Sequence, residues 1–300
     1  MEPIYSEAEA SPAETVAALL PAAAVVAPPA YPTYAESWGV LGWYLLAQLL
    51  SGLVAGGLLL WLPKTARTGP SMLIVELAQL GLVLWLVAQA GTRAQPVRWR
   101  GPSDGPGLWA VVVPTTFGVA LAVSALQWLE LPHWGVDAAF DKLMLNPGLA
   151  FGLICVAAPV IEEWLFRGLL LPGLARNYGS TRAIVQSSLL FGIIHFNPAQ
   201  SLMAFCLGLF LGWLYIRTQS VRTCVLAHAT VNTAAWAGMY FAKQHYGQVT
   251  PLAQTSAWEL AYMAGGALVA LAGIWYLARL RAPGQANAEE PAAPGPAVEA

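Results

Sequence analysis

Six side chains on three apolar segments stand out as able to do chemistry together. The first segment reads Ala158-Pro159-Val160-Ile161-Glu162-Glu163-Trp164-Leu165-Phe166-Arg167-Gly168. On a helix, Glu163 and Arg167 lie one turn apart on the same face and can pair. Adjacent residues point about 100° apart around the axis, so Glu162 faces elsewhere and stays free for another partner. Pro159 precedes them, where a proline frees a backbone carbonyl and kinks a helix. The second segment ends Phe191-Gly192-Ile193-Ile194-His195-Phe196-Asn197-Pro198, and the third contains His228-Ala229-Thr230-Val231-Asn232. His228 and Asn232 are again one turn apart and can address one point.

Peptide hydrolysis needs a positioned water, a base to activate it and donors facing the developing oxyanion. Glu162 has the chemistry of the base, and His195 could hold the same water. His228 and Asn232 could serve the oxyanion. Equally, Glu162, His195 and His228 could bind Zn²⁺ and leave a fourth position open for water. The sequence does not choose between these. It contains no HExxH, which sets aside the single-helix zinc site. Each group also has a plainer reading. Glu163 and Arg167 suit a structural ion pair, His195 an interfacial histidine, and His228 with Asn232 interhelical hydrogen bonding. Glu162 resists such a reading, because an ionisable group within a membrane span is costly and usually functional.

The elements that must position these residues follow from composition. Of 300 residues, 57% are hydrophobic and only 10% are charged. Soluble chains carry roughly a quarter charged residues, so most of this surface does not face water. A net charge of −2 gives no basic field for nucleic acid. Cys155, Cys206 and Cys224 fall in apolar stretches without CxxC spacing and read as small buried hydrophobes. A span needs about 20 apolar residues. Eight stretches approach that requirement: 39–62, 71–90, 108–129, 149–171, 182–195, 201–216, 221–241 and 258–280. The expected fold is therefore an all-α, polytopic membrane bundle of about eight transmembrane helices. Residues 1–37 read as a disordered Ala/Pro/Glu-rich arm, 38–281 as the membrane domain with its motif-bearing core at 148–241, and 282–300 as a disordered tail.

Positive residues mark the cytoplasmic side of a membrane protein. Arg93, Arg98, Arg100, Arg176, Arg182, Arg217, Arg222, Arg279 and Arg281 fall on one side of this topology, and Lys64, Arg67, Lys142 and Lys243 on the other. Both termini are expected in the cytoplasm. A proton- or metal-coupled transporter also fits buried Glu and His, but it predicts polar groups in both halves. Here they crowd the second half, with Glu76 the lone internal charge of the first three spans. A non-catalytic immunity or scaffold membrane protein remains a further alternative.

At these residues the chain resembles the CPBP family, also known as the CAAX protease and bacteriocin-processing or Abi family. Its members carry EExxxR, FxxxH and HxxxN on successive membrane helices. The corresponding residues are Glu162 to Arg167, Phe191 to His195 and His228 to Asn232. The resemblance covers roughly residues 148–241, and the first three spans match only as generic membrane sequence. It implies a helical bundle with a cavity open to the membrane. It implies Glu162 as catalytic carboxylate, His195 as its partner on the water, His228 and Asn232 completing the site, and Glu163 with Arg167 in support. The family has been described both as metalloproteases and as glutamate-type proteases, so zinc stays open. The implied partner is a membrane-anchored or lipidated protein or peptide substrate, alongside membrane lipids. Bacterial members are tied to peptide maturation, immunity and processing of surface-anchored proteins. The Ala/Pro/Gly-rich tails suit a high-GC bacterium and a sorting-type enzyme such as the myxosortase branch, in the inner membrane.

Overall fold

The computed structural model describes residues 28–63, 66–132, 134, 136–247 and 257–279. Among them the regular structure is helical, with no strand beyond an isolated bridge between Tyr31 and Ala94. The helices are α1 (Tyr34–Leu58), α2 (Thr68–Ala90), α3 (Pro106–Val123, extended by a 3₁₀ turn to Leu129), a short α4 (Val136–Leu143), α5 (Pro147–Tyr178), α6 (Ser180–Ile193), α7 (Pro198–Thr218), α8 (Val221–Tyr246) and α9 (Ala257–Arg279).

The polytopic helical bundle stands, but eight spans are not confirmed. Among the described residues, six helices are long and apolar enough to cross a membrane: α1, α2, α3, α5, α7 and α9. The other two expected spans are α6 and α8. With 14 residues, α6 rises only about 21 Å at 1.5 Å per residue. With 26 residues, α8 has the length. It is excluded by polarity, carrying His228, Thr230, Asn232 and Thr233 along its middle. The two helices that fall short are thus those that hold the imidazoles.

Outward faces of the long helices are apolar. Leu53, Leu60 and Leu268 are all more than 60% exposed, and Trp61 and Trp258 stand near helix ends. Such surface is unfavourable in water and suits a lipid tail, with Trp at the headgroup level. Inside, one cluster joins α1, α2, α5 and α6 through Tyr44, Val83, Leu165 and Phe191. A second joins α3, α7, α8 and α9 through Val112, Leu211, Val221 and Ala270.

The arginines gather at one end of the bundle. The α2–α3 loop lies against the starts and ends of several helices there: Arg98 donates to Gln219, Arg176 donates to Gln95, and Val221 N–H donates to the Arg98 carbonyl. Lys243 meets Asp141 at the opposite end.

The boundary expected after residue 37 lies earlier in the structure. Residues 30–37 are tied down, because their polar groups find partners on α5 and on the α2–α3 loop. Ala30 exchanges hydrogen bonds with the Asn177 side chain, and Tyr31 N–H donates to the Arg93 carbonyl. Thr33 and Glu36 form a capping box that starts α1 at Tyr34. Glu36 also holds Arg93 through both carboxylate oxygens, at 2.8 and 3.0 Å. The remainder of the expected arm, residues 1–27, and the expected tail, 282–300, lie outside the described residues.

Candidate active site

Helix α5 carries both carboxylates, and its backbone is not a plain α-helix. Two stretches, Gly152–Ala157 and Trp164–Leu170, wind in the wider π register. Each ends at a proline. Ala158 N–H reaches Leu153 O and Leu171 N–H reaches Phe166 O, five residues back in both cases. In that register residue 159 would serve Ile154 O, and Pro159 has no N–H. Asn232 of α8 donates its Nδ2–H to the Ile154 carbonyl at 2.8 Å. A side chain from a distant helix therefore satisfies a carbonyl that the proline leaves open. Such π turns widen a helix locally and recur at functional sites.

Between the two π stretches sit Glu162 and Glu163. Glu163 is fully buried and its Oε1 accepts from Arg167 Nη1 at 2.9 Å. The same oxygen lies 2.9 Å from His228 Nδ1. A carboxylate only accepts, so Nδ1 carries the proton and Nε2 is the free ring nitrogen. Arg167, also fully buried, donates Nη2 to Gly208 O at 3.1 Å. That reach depends on close packing of α7 against α6: a Cβ at Gly208 would meet Ser188 Cβ at 3.0 Å. The Arg167 guanidinium lies over the Phe191 ring at 4.8 Å. Glu163 Oε2 and Arg167 Nε are buried with no hydrogen-bond partner among the described residues. Glu162 takes the other side of the imidazole, its Oε2 3.8 Å from His228 Nε2. That is beyond a direct hydrogen bond, and one water can touch both atoms.

His195 follows the end of α6. Phe196 adopts a left-handed conformation (φ 50°), and Asn197 caps α7 by accepting from Gln200 N–H. This reversal turns the chain sharply after His195. Its Nδ1 donates to the Phe191 carbonyl at 2.9 Å, again leaving Nε2 free. His195, His228 and Asn232 line one cavity of about 690 Å³, walled by α3, α6, α7, α8 and Tyr262 of α9. Most of its lining is apolar, with Gln127, Gln200 and Tyr246 among the polar exceptions. Glu162 is not part of that wall, and His228 bridges the distance between it and the cavity.

This segment has recognisable relatives. Residues 144–234 match the family described as "Type II CAAX prenyl endopeptidase Rce1-like". Over that stretch the chain is similar to this family. The match takes in α5 from before its carboxylates, all of α6 and α7, and α8 past Asn232. A protein of Bacillus subtilis (strain 168) named "Putative membrane peptidase YdiL" is 30% identical over 97 residues, which is 32% of this chain and 39% of that relative. The chain thus aligns with well under half of that relative's length. No solved structure matches the chain. The resemblance to the CPBP family holds over the motif-bearing core, and with its apolar helices this is an integral membrane protein.

The structure brings most of the expected residues together. Glu163 and Arg167 pair as their spacing anticipates. Glu162 approaches His228 rather than His195, which faces the site across the cavity. Asn232 has one of its two N–H bonds committed to Ile154 O. Among the described residues, no group of three His, Cys, Asp or Glu side chains is arranged to hold a metal ion. Two contributions were missed. Phe191 stands at the centre of the site, edge-on to His195 at 5.2 Å and to His228 at 5.7 Å, with its carbonyl on His195. Its position four residues before His195 was the available signal. Tyr44 of α1 and Val83 of α2 share one buried cluster with Ile161 and Leu165 of α5, so the first spans border the site.

Proposed function

We propose that the chain is an intramembrane endopeptidase of the glutamate type, cleaving a membrane-anchored or lipid-modified protein or peptide. The observation that carries this reading is the single apolar cavity into which α6 and α8 present His195, His228 and Asn232, with Glu162 against His228. A water between Glu162 and the two free Nε2 atoms would give its proton to Glu162 as its oxygen attacks the scissile carbonyl. Asn232 retains one N–H beyond its bond to Ile154 and faces the developing oxyanion; His228, whose Nδ1–H is held by Glu163, joins it once Nε2 has taken up a proton. The proton held on Glu162 then passes to the departing amine. Glu163 and Arg167 hold His228 in register without touching substrate. The apolar wall favours a hydrophobic substrate segment. Arginine clustering at one end supports cytoplasmic termini and, for a bacterial chain, the inner membrane.

The test compares cells carrying wild type, a deletion and Glu162→Gln at matched expression, by mapping new protein termini in their membranes. Glu162→Gln is expected to accumulate the same precursors as the deletion, with processing reduced about 10²–10⁴-fold. If Glu162→Gln processes like wild type while the deletion does not, the chain acts as a scaffold. The purified enzyme is expected to keep its activity in chelator; loss restored by Zn²⁺ would replace the glutamate mechanism with a metal one.

A further inference from the structure

A second concavity lies at the arginine-rich end, away from the cavity just described. It has a volume of about 340 Å³ and is lined by Trp99, Arg100, Val160, Arg222 and Val225. Its roof is the α2–α3 loop and its floor is the seam between α5 and the first turns of α8. The roof is fixed in place. Trp99 O accepts from Arg222 N–H at 3.1 Å, and the Trp99 ring meets Trp164 edge-on at 5.6 Å.

Among the described residues, no carboxylate compensates the charges above this apolar floor. Arg100 and Arg222 are exposed, and among the described residues neither has a carboxylate within ion-pair range. Arg222 rests on the Trp109 ring at 4.4 Å. Asp104, the acid at this corner, has its two oxygens engaged by Ser220 Oγ and Thr223 Oγ1 at 2.7 and 2.8 Å. Neighbouring arginines are occupied: Arg93 by Glu36, Arg98 by Gln219, Arg176 by Gln95.

From this pairing of two free guanidiniums with an apolar trough, we infer that the groove binds an anionic phospholipid. The phosphate sits between Arg100 and Arg222, where guanidinium forks suit phosphate oxygens. An acyl chain runs along Val160 and Val225 into the bilayer, with Trp99 at the glycerol level. A water-soluble anion would leave the floor unused, and a zwitterionic lipid would place a cation beside two arginines. The lipid would touch the catalytic helices directly. Val160 is two residues before Glu162, and Val225 is one turn before His228.

The test uses full-length protein purified in detergent, delipidated and then exposed to phosphatidylglycerol or phosphatidylcholine, with bound lipid counted by native mass spectrometry. Wild type is expected to retain phosphatidylglycerol preferentially. Arg100→Gln/Arg222→Gln should weaken that retention by about fivefold per arginine. Val225→Trp, which fills the floor and keeps both charges, should weaken it as well. Arg182→Gln, an exposed arginine at the same end outside the groove, should not. Each single Arg→Gln variant serves if the double variant is not monodisperse. Equal retention by wild type and the double variant, an equal loss in Arg182→Gln, or displacement of the lipid by millimolar inorganic phosphate would each overturn the proposal.

Discussion

His228 sits between two carboxylates with different surroundings, and the difference separates their roles. Glu163 is sealed from solvent and shares Oε1 between Arg167 and His228, whereas the Glu162 side chain is 13% exposed and makes no hydrogen bond among the described residues. Removing one partner of a buried ion pair strands the other charge, at a cost of about 3–5 kcal/mol. Glu163→Gln is therefore expected to destabilise the fold by that order, because Arg167 loses its counter-ion at zero exposure. Glu162→Gln should stay within about 1 kcal/mol of wild type, as for an ordinary substitution outside a paired network. Denaturation in mixed micelles, followed by near-ultraviolet circular dichroism, compares the two. Equal stability of both variants would remove the structural assignment of Glu163. The Glu163–Arg167 pair could be read from the sequence, since one helical turn fixes it. The bond from Glu163 to His228 could not, because it joins residues 65 apart. For the same reason Glu162 was matched to His195 on motif order alone.

Helices, as elements, were legible where composition alone determines them. The long apolar stretches became α1, α2, α3, α5, α7 and α9, with Asn capping the starts of α5 and α7 and Gly following the ends of α2 and α5. The two unconfirmed spans are α6 and α8, which are shorter or more polar than the other six. The π turns of α5 were also beyond reach, although Pro159 was flagged as a place where a carbonyl is freed. The sequence shows which N–H is missing but not which distant group replaces it. That replacement is testable. Pro159→Ala restores an N–H that can compete with Asn232 for Ile154 O. Winding back to the α register would rotate the residues beyond the bulge by about 100° for the one residue removed. The variant is expected to be as stable as wild type or more so, since proline disfavours a helix interior by about 3 kcal/mol. Its peptidase activity should fall at least about tenfold, as positioning errors near 1 Å cost more than that. Full activity would mean that the π register does not place Glu162.

Across the whole molecule, the half that carries no motif still shapes the site. Helices α1 and α2 back the carboxylate-bearing helix through Tyr44 and Val83, and the α2–α3 loop caps α8. Helices α3 and α9 close the far wall of the cavity with Leu121, Gln127 and Tyr262. Sequence gave the first three spans no part in this, since packing partners are chosen by surface shape rather than residue chemistry. The α3–α9 contact is built on small residues, as lipid-embedded helices require to approach closely. A Cβ at Gly273 would collide with the Thr115 side chain, whereas one at Gly39 on α1 meets nothing within 4 Å. Gly273→Ala is therefore expected to cost about 1–3 kcal/mol by overpacking. Gly39→Ala should be neutral or stabilising, because alanine is favoured over glycine in a helix by up to about 1 kcal/mol. Thr115→Ala introduced beside Gly273→Ala should recover part of the loss, because it removes the group that is struck. The Thr115 hydroxyl bonds only its own helix, at Val111 O, so its removal leaves no distant partner bare. A double-mutant cycle in mixed micelles reads the coupling. Additive effects of the two substitutions would show that α9 does not seat on α3 through this contact. The cavity wall at Tyr262 would then need another support.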